Sequence, residues 1–325
     1  MNLKRSVSAY GLNFRRKQLF QKALLAIVIL VFLSLLPAVY FRLKGRGAGD
    51  TRELQDLFES GAFENVYKRS AEMLVEKPLD FYLLTIHGFS AYQLAVAQIN
   101  NSDTQAFVDE CIWSLRKAML FREGSNDSRI FYVLGKAYYY KGTGYADLSV
   151  SYLEKARSAS YKAADIPEYL GLAYAAIRDF RSSVAAFTLA LTGEGGTSRE
   201  LSDGGAVNPS DVLLLSIARS YLGLEEDEKA KAYLIHCLDI SRDSKTIASA
   251  RLMLGGIMFR NGDIASAEKE YMKVIEEDGE NAEAHYQLGV LYASAGDTTK
   301  SRAEWRRALR IDPAHGQARS RLNMQ

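Results

Sequence analysis

Two kinds of apolar pattern run along this chain. Between Ala23 and Phe41, ALLAIVILVFLSLLPAVYF, nineteen residues carry no charge, so a helix there would be apolar on every face. From about residue 50 onward the apolar positions instead recur three and four residues apart, interrupted by Gly-Asp, proline and polar turn signals. The stretch 282–315, AEAHYQLGVLYASAGDTTKSRAEWRRALRIDPAH, shows this second pattern most clearly. Leu288, Gly289 and Tyr292 fall on one face of a first predicted helix, which Gly296-Asp297 breaks. Ser301, Trp305 and Ala308 share a face of a second, and Asp312-Pro313 ends it because proline lacks the amide the next turn needs. Small residues at Gly289 and Ala308 let the two helices approach, while Tyr292 and Trp305 fill the space between them.

This spacing (small-x-x-aromatic, Gly-Asp, aromatic-x-x-Ala, Pro) resembles the tetratricopeptide repeat, with Ser301 where alanine is usual. The same register recurs upstream. A first unit near 47–80 has Gly61-Ala62-Phe63, Val66, Ser70, Met73 and Pro78, although its first helix departs from the pattern. The second has Gly88, then Cys111, Leu115 and Ala118 after an insertion around Ile99–Thr104. The third has Leu134, Gly135, Tyr138, Ser149, Leu153 and Ala156, with an insertion at Gly142-Thr143-Gly144. The fourth has Leu170, Gly171, Tyr174, Ser183, Phe187 and Ala190. The fifth has Ile217, Ala218, Tyr221, Ala230, Leu234 and Cys237, and the sixth Leu254, Gly255, Met258, Ala267, Tyr271 and Val274. Between the fourth and fifth, GEGGTSRELSDGGAVNPS (193–210) reads as a glycine-rich loop without chemical groups of note. The resemblance covers about 47–315 and implies an all-α fold, an α-solenoid of six to seven tetratricopeptide-like helical pairs.

Charge changes the picture at the amino end. The net charge of +2 hides an uneven distribution: residues 1–46 hold nine Lys or Arg and no acid, leaving 32 basic against 39 acidic residues from Gly47 onward, a net of −7. A mildly acidic repeat region argues against nucleic acid as a partner. The basic head flanks residues 23–41, whose helix would be ~28 Å long, close to the ~30 Å hydrocarbon thickness of a bilayer. A cleaved leader has a shorter apolar centre and small residues at its cleavage site, whereas Val39-Tyr40-Phe41-Arg42 is bulky. The expectation is therefore a single amino-terminal transmembrane helix at 23–41, after a basic segment (1–22) and before a GRGAG-containing linker (42–49). Lys4, Arg5, Arg15, Arg16, Lys17 and Lys22 precede the span, and Arg42, Lys44 and Arg46 follow it. That bias places the amino terminus in the cytoplasm and the repeat domain (50–315) on the periplasmic or other extracytoplasmic side. Residues 316–325 read as a polar carboxy-terminal tail.

Candidate chemistry is sparse. His87, His236, His285 and His315 fall in different repeats, without a His-Glu-x-x-His or Cys-x-x-Cys arrangement. Neither a Gly-x-Ser-x-Gly elbow nor a phosphate loop occurs, so no enzyme, cofactor or metal is expected. Cys111 and Cys237 occupy interior pattern positions three repeats apart and read as buried, unbridged thiols.

The resemblance supplies the functional expectation. In tetratricopeptide proteins the first helices line a concave groove that receives a partner's peptide or helix. Carried onto this chain, the lining positions are densest in aromatics in units two and three: Tyr82, Phe89 and Tyr92, then Arg129, Tyr132, Lys136, Tyr139 and Tyr140. These eight residues form the candidate peptide site, its two cations favouring an acidic segment of the partner. The members that clamp chaperone tails carry asparagine at the sixth position, where this chain has Ile86, Val133, Tyr169, Ser216, Met253 and Gln287. The expected role is a non-catalytic, membrane-anchored scaffold for a protein or peptide partner. A subunit of an envelope assembly or secretion complex, and a small-ligand-binding accessory protein, are the alternatives. If 23–41 is retained as a span, alkaline carbonate extraction leaves the full chain in the membrane pellet; a soluble form beginning near Ala48 or Asp50 would instead mean a cleaved leader.

Overall fold

A computed structural model describes residues 51–97, 103–192 and 209–323. The expected membrane helix at 23–41, the segments 1–22 and 42–49, and all but the last two residues of the 193–210 loop lie outside the described residues, as does most of the 99–104 insertion. Among the described residues every regular element is helical, and no helix is long and apolar enough to cross a membrane. The chain divides into two compact units, one through Ser125 and one from Asn126 onward.

The first unit contains α1 (51–59), α2 (Phe63–Glu76), α3 (Phe81–Ala97) and α4 (Thr104–Ala118). Gly61, at φ +80°, reverses the chain between α1 and α2, and the Ala62 amide donates back to the Leu57 carbonyl at 2.9 Å. This left-handed closure is the turn glycine accepts without strain. Leu54, Val66, Leu83 and Ile86 form the core of α1–α3. Gly88 lets α3 meet α4: a Cβ there would lie 2.7 Å from Leu115. His87 is buried against the face of Tyr67, with Nδ1 2.8 Å from Ser70 Oγ and Nε2 3.3 Å from Glu110 Oε1. That hydrogen bond is the main cause holding the Glu110 carboxyl below the usual range.

The second unit has five helical hairpins and a closing helix. The hairpins are α5 (Ser128–Lys141) with α6 (Ala146–Ser158), α7 (Ile166–Ala176) with α8 (Phe180–Thr192), and α9 (Asp211–Gly223) with α10 (Asp227–Ile240). Then come α11 (Ser244–Arg260) with α12 (Ile264–Glu277), and α13 (Ala282–Ser294) with α14 (Thr298–Ile311). Each second helix also packs on the first helix of the next hairpin. Together with α1–α4 this gives seven helix pairs among the described residues, the upper end of the expected count.

One contact repeats inside the hairpins. A Cβ on Gly135 would lie 2.6 Å from Leu153, on Gly171 2.4 Å from Phe187, on Gly255 2.4 Å from Tyr271, and on Gly289 2.4 Å from Trp305. Each glycine therefore admits a large side chain of the second helix against the first helix's backbone, in the register the sequence pattern predicts. Ser149 and Ser183 tighten two of these crossings by donating to the Gly135 and Gly171 carbonyls at 2.8 and 2.7 Å. The turns repeat as well. The amides of Asp179, Glu226, Asp263 and Asp297 each donate to the carbonyl five residues earlier. Gly262 and Gly296 hold the left-handed position of this turn, but Arg178 and Glu225 hold it at φ 63° and 60°, where a side chain costs about 1–2 kcal/mol.

The carboxy terminus departs from the expected polar tail. Gly316–Asn323 forms a short helix, α15, which packs on α14 with Ala318 buried beside Trp305 and Ala308. Ala318 and Leu322, four residues apart, supply just enough apolar stripe, and His315 caps the helix by accepting the Ala318 amide at Nδ1. Cys111 and Cys237 are buried and unbridged.

Trp305 is fully buried and donates its ring N–H to the Tyr286 carbonyl at 3.3 Å. Trp305→Ala should therefore lower stability by about 3–5 kcal/mol, and Gly289→Leu by about 1–3 kcal/mol through overpacking against the same ring. Thermal melts check both; an unchanged midpoint for Trp305→Ala would place the ring outside the core.

Candidate functional site: a tyrosine face on α5 and α7

The five site residues expected in the third repeat all lie on α5. Tyr132, Lys136, Tyr139 and Tyr140 are three, four and seven residues apart on α5 or nearly so, and they face α7 across the junction between hairpins. Asp127 caps α5 by accepting the Arg129 amide, which fixes where the helix begins. Proline in the first turn helps start α7, because its missing amide is one of the unpaired groups there anyway.

Asp165, just before α7, is the centre of the arrangement. Its two carboxylate oxygens each accept from the Tyr132 hydroxyl at 2.9 Å, and Oδ2 also accepts from Lys136 Nζ at 2.7 Å. Lys136 Nζ lies 4.3 Å from the ring centroid of Tyr169 and 5.1 Å from that of Tyr132, so its charge is shared between a carboxylate and two π faces. Tyr139 meets Tyr169 edge to face at 5.3 Å, and the Tyr140 and Tyr169 hydroxyls are 2.8 Å apart. Tyr161, in the α6–α7 connection, packs on Tyr132 at 5.0 Å. Rings, hydroxyls and ions thus brace one another into a platform whose side chains have little freedom left to lose.

The electrostatics of this face differ from the sequence expectation. Arg129 and Lys136 were predicted as cations open to an acidic partner. In the structure Lys136 is buried and bound to Asp165, and Arg129 makes a two-pronged contact with Asp127, at 3.1 Å through Nε and 2.7 Å through Nη2. Glu168 adds a further half-buried carboxyl, its pKa raised first by burial and then by the Asp165 charge, against the lowering pull of Lys136. Two cations therefore stand beside three carboxyls. Of the two cations, Lys136 is thus committed inside the face, while Arg129 stays exposed beside Asp127. Burial, followed by a hydrogen bond to Asp165 for Tyr132 and to Tyr140 for Tyr169, keeps both phenols well above the usual tyrosine range.

Tyr82, Phe89 and Tyr92 belong to the first unit. Tyr82 packs on the α1–α3 core and donates to the Thr51 carbonyl at 3.0 Å, Tyr92 is buried, and Phe89 is half-buried. Tyr82 is thus partly engaged in packing and Tyr92 lies in the interior of the unit. Sequence reasoning missed Tyr161 and the bracing role of Tyr169 and Asp165. The signal was available, because Tyr169 and Asp165 lie about one repeat after Lys136 and Tyr132.

Like His87, His285 and His315 act as ties within the fold. His285 Nδ1 lies 2.6 Å from Glu304 Oε2 and Nε2 3.2 Å from the Gly279 carbonyl, and His315 Nε2 lies 3.2 Å from Glu283 Oε2. Among the described residues no cluster of His, Cys, Asp and Glu could hold a metal ion.

Fold and site define a helical-hairpin repeat protein with an aromatic surface on its first helices. Profiles described as tetratricopeptide repeat match residues 213–244 and 248–315, so these segments are tetratricopeptide repeats. A mouse protein, superkiller complex protein 3, is 32% identical over 83 residues, which cover 24% of this chain and 5% of that protein's length. Among solved structures, the apo form of the quorum sensor NprR from B. thuringiensis aligns with a TM-score of 0.57 at 14% identity, covering 87% of this chain and 80% of the other. The carboxy-terminal part of a TPR repeat-containing protein from Cytophaga hutchinsonii gives 0.53 at 16% identity, covering 83% and 98%. PilW, a type IV pilus biogenesis factor, gives 0.53 at 14% identity, covering 72% and 98%. Likeness at these identities is likeness of fold.

Asp165→Ala would leave the Lys136 ammonium buried without its carboxylate, at a cost of about 1–3 kcal/mol. Adding Lys136→Met should recover part of that loss, a coupling that denaturant titration of the two single variants and the double variant would read. Strictly additive single changes would mean the pair contributes nothing.

Proposed function

We propose that this protein is a non-catalytic scaffold that binds a segment of a protein partner on the α5–α7 tyrosine face. The observation that carries the reading is the braced platform of Tyr139, Tyr140 and Tyr169: half-buried rings held by neighbours yet still open on one side. Rigid tyrosines offer apolar contact and a hydroxyl at small entropic cost, which is why they recur among residues that dominate binding. With three carboxyls beside two paired cations, the face suits a segment of apolar and neutral or basic side chains.

In the same reading residues 23–41 anchor the chain in a membrane, with the amino terminus on the cytoplasmic side and the repeats on the other. Their length, lack of charge and the excess of basic residues before them support this. An envelope assembly complex is one place such a tethered scaffold would serve, and the fold is shared with PilW, a type IV pilus biogenesis factor.

Replacing Tyr139 and Tyr140 together by alanine should abolish recovery of the partner in pull-downs from detergent-solubilised native membranes, with the helical circular dichroism signal unchanged. Full recovery by a folded double variant would mean that the rings only hold α5 to α7 and that partners bind elsewhere.

A further inference from the structure

The most exposed large apolar side chains lie in the first unit. Among the described residues the three most exposed large apolar side chains are Val75, Leu120 and Leu79, at 84%, 80% and 61%. Val75 lies in the last turn of α2, Leu79 in the α2–α3 turn and Leu120 just past α4, so each sits where a second helix hands over to the next first helix. Two contacts join the chain neighbours of Leu79 and Leu120. The Phe81 and Phe121 rings, next to Leu79 and Leu120 in the chain, lie 6.2 Å apart. Gly124 closes the same corner, where a Cβ would lie 2.9 Å from Phe81. Trp113, 52% exposed, lies on α4 seven residues before Leu120, with Lys117 Nζ 3.4 Å above its ring. Scattered apolar residues on a surface mean little, but a cluster of this kind marks something that covers it.

The chain also enters the fold at this edge. Tyr82 donates its hydroxyl to the carbonyl of Thr51, the first described residue of α1, which places that residue at the same end of the hairpin as the α2–α3 turn that carries Leu79. Only residues 42–50 separate Thr51 from the uncharged stretch 23–41, and so short a segment spans at most about 30 Å even when fully extended. We infer that this edge, formed by Val75, Leu79 and Leu120 with Trp113 above them, rests on the bilayer surface from which residues 23–41 emerge. The inference relies on the membrane reading proposed above. Tryptophan with a lysine folded over its ring is suited to the headgroup layer, where an amphipathic ring and a snorkelling amine both find partners. Lys77, Arg116, Lys117 and Arg122 are offset by Glu76, Asp80 and Glu123 around the edge, so apolar burial rather than attraction to anionic lipid drives the docking. Zwitterionic lipid should therefore suffice. The α1–α2 turn at Ser60, at the opposite end of α1, should remain in water.

The test uses the full chain reconstituted in phosphatidylcholine vesicles, with an environment-sensitive fluorophore on Leu79→Cys, Leu120→Cys or Ser60→Cys. Cys111 and Cys237 are buried, so labelling is confined to the introduced thiol. The expected result is blue-shifted, brighter emission at positions 79 and 120 on incorporation into vesicles, and no change at 60. Unchanged emission at 79 and 120 with the chain in the carbonate pellet would overturn the docking edge and leave the membrane span standing. That is also what a protein occupant would produce, since these vesicles contain none. A blue shift with the chain in the carbonate supernatant would keep the edge and discard the span, while unchanged emission with a soluble chain would discard both.

Discussion

A glycine facing a large side chain holds four of the second unit's five hairpins together, and Ala218 stands at that position in the fifth. Where Gly135, Gly171, Gly255 and Gly289 stand, the first helix has no Cβ, and Leu153, Phe187, Tyr271 and Trp305 of the second helix occupy that space. The crossing this permits is close enough for Ser149 and Ser183 to reach the opposite backbone. Everything else in the fold follows from two helices held at that distance. The outer side of each pair stays apolar, the next hairpin must cover it, and the first helices come to lie beside one another as α5 lies beside α7.

This dependence explains what was legible beforehand. The small and large partners lie about sixteen residues apart in the sequence, within one repeating unit, so spacing alone pointed to Gly289 and Trp305. The turns were legible for the same reason, except where Arg178 and Glu225 replace the expected glycine and hydrogen bonding of the turn imposes the left-handed backbone. The charge balance of the tyrosine face was not legible. Lys136 and Asp165 belong to different units of the repeat, and only packing of α7 on α5 decides that they meet. A pattern read one repeat at a time counts Lys136 as a free cation, whereas the structure spends that charge internally.

The correction changes what the face can recognise. With Lys136 held by Asp165 and most of the phenol hydroxyls bonded within the face, its polar groups are largely paired internally, and burial raises the Glu168 pKa. Such a surface reads shape and hydrogen bonding more than charge, so its affinity should depend little on salt. The bracing also separates roles within the cluster. Tyr132 and Lys136 serve to set the distance between α5 and α7, leaving Tyr139, Tyr140 and Tyr169 as the rings available for contact.

The hydrogen bond from Tyr82 to the Thr51 carbonyl has a mechanical meaning. Tension transmitted through residues 42–50 would enter the fold at Thr51, and that bond, with the packing of Leu54 behind it, would be the first to bear the load. Because α1 pairs within its own hairpin and leans on α3, a pull at its start would strip one short helix before disturbing the Gly88–Leu115 crossing deeper in the unit. The first hairpin would then give way and re-form under load while the helices beyond it stay intact.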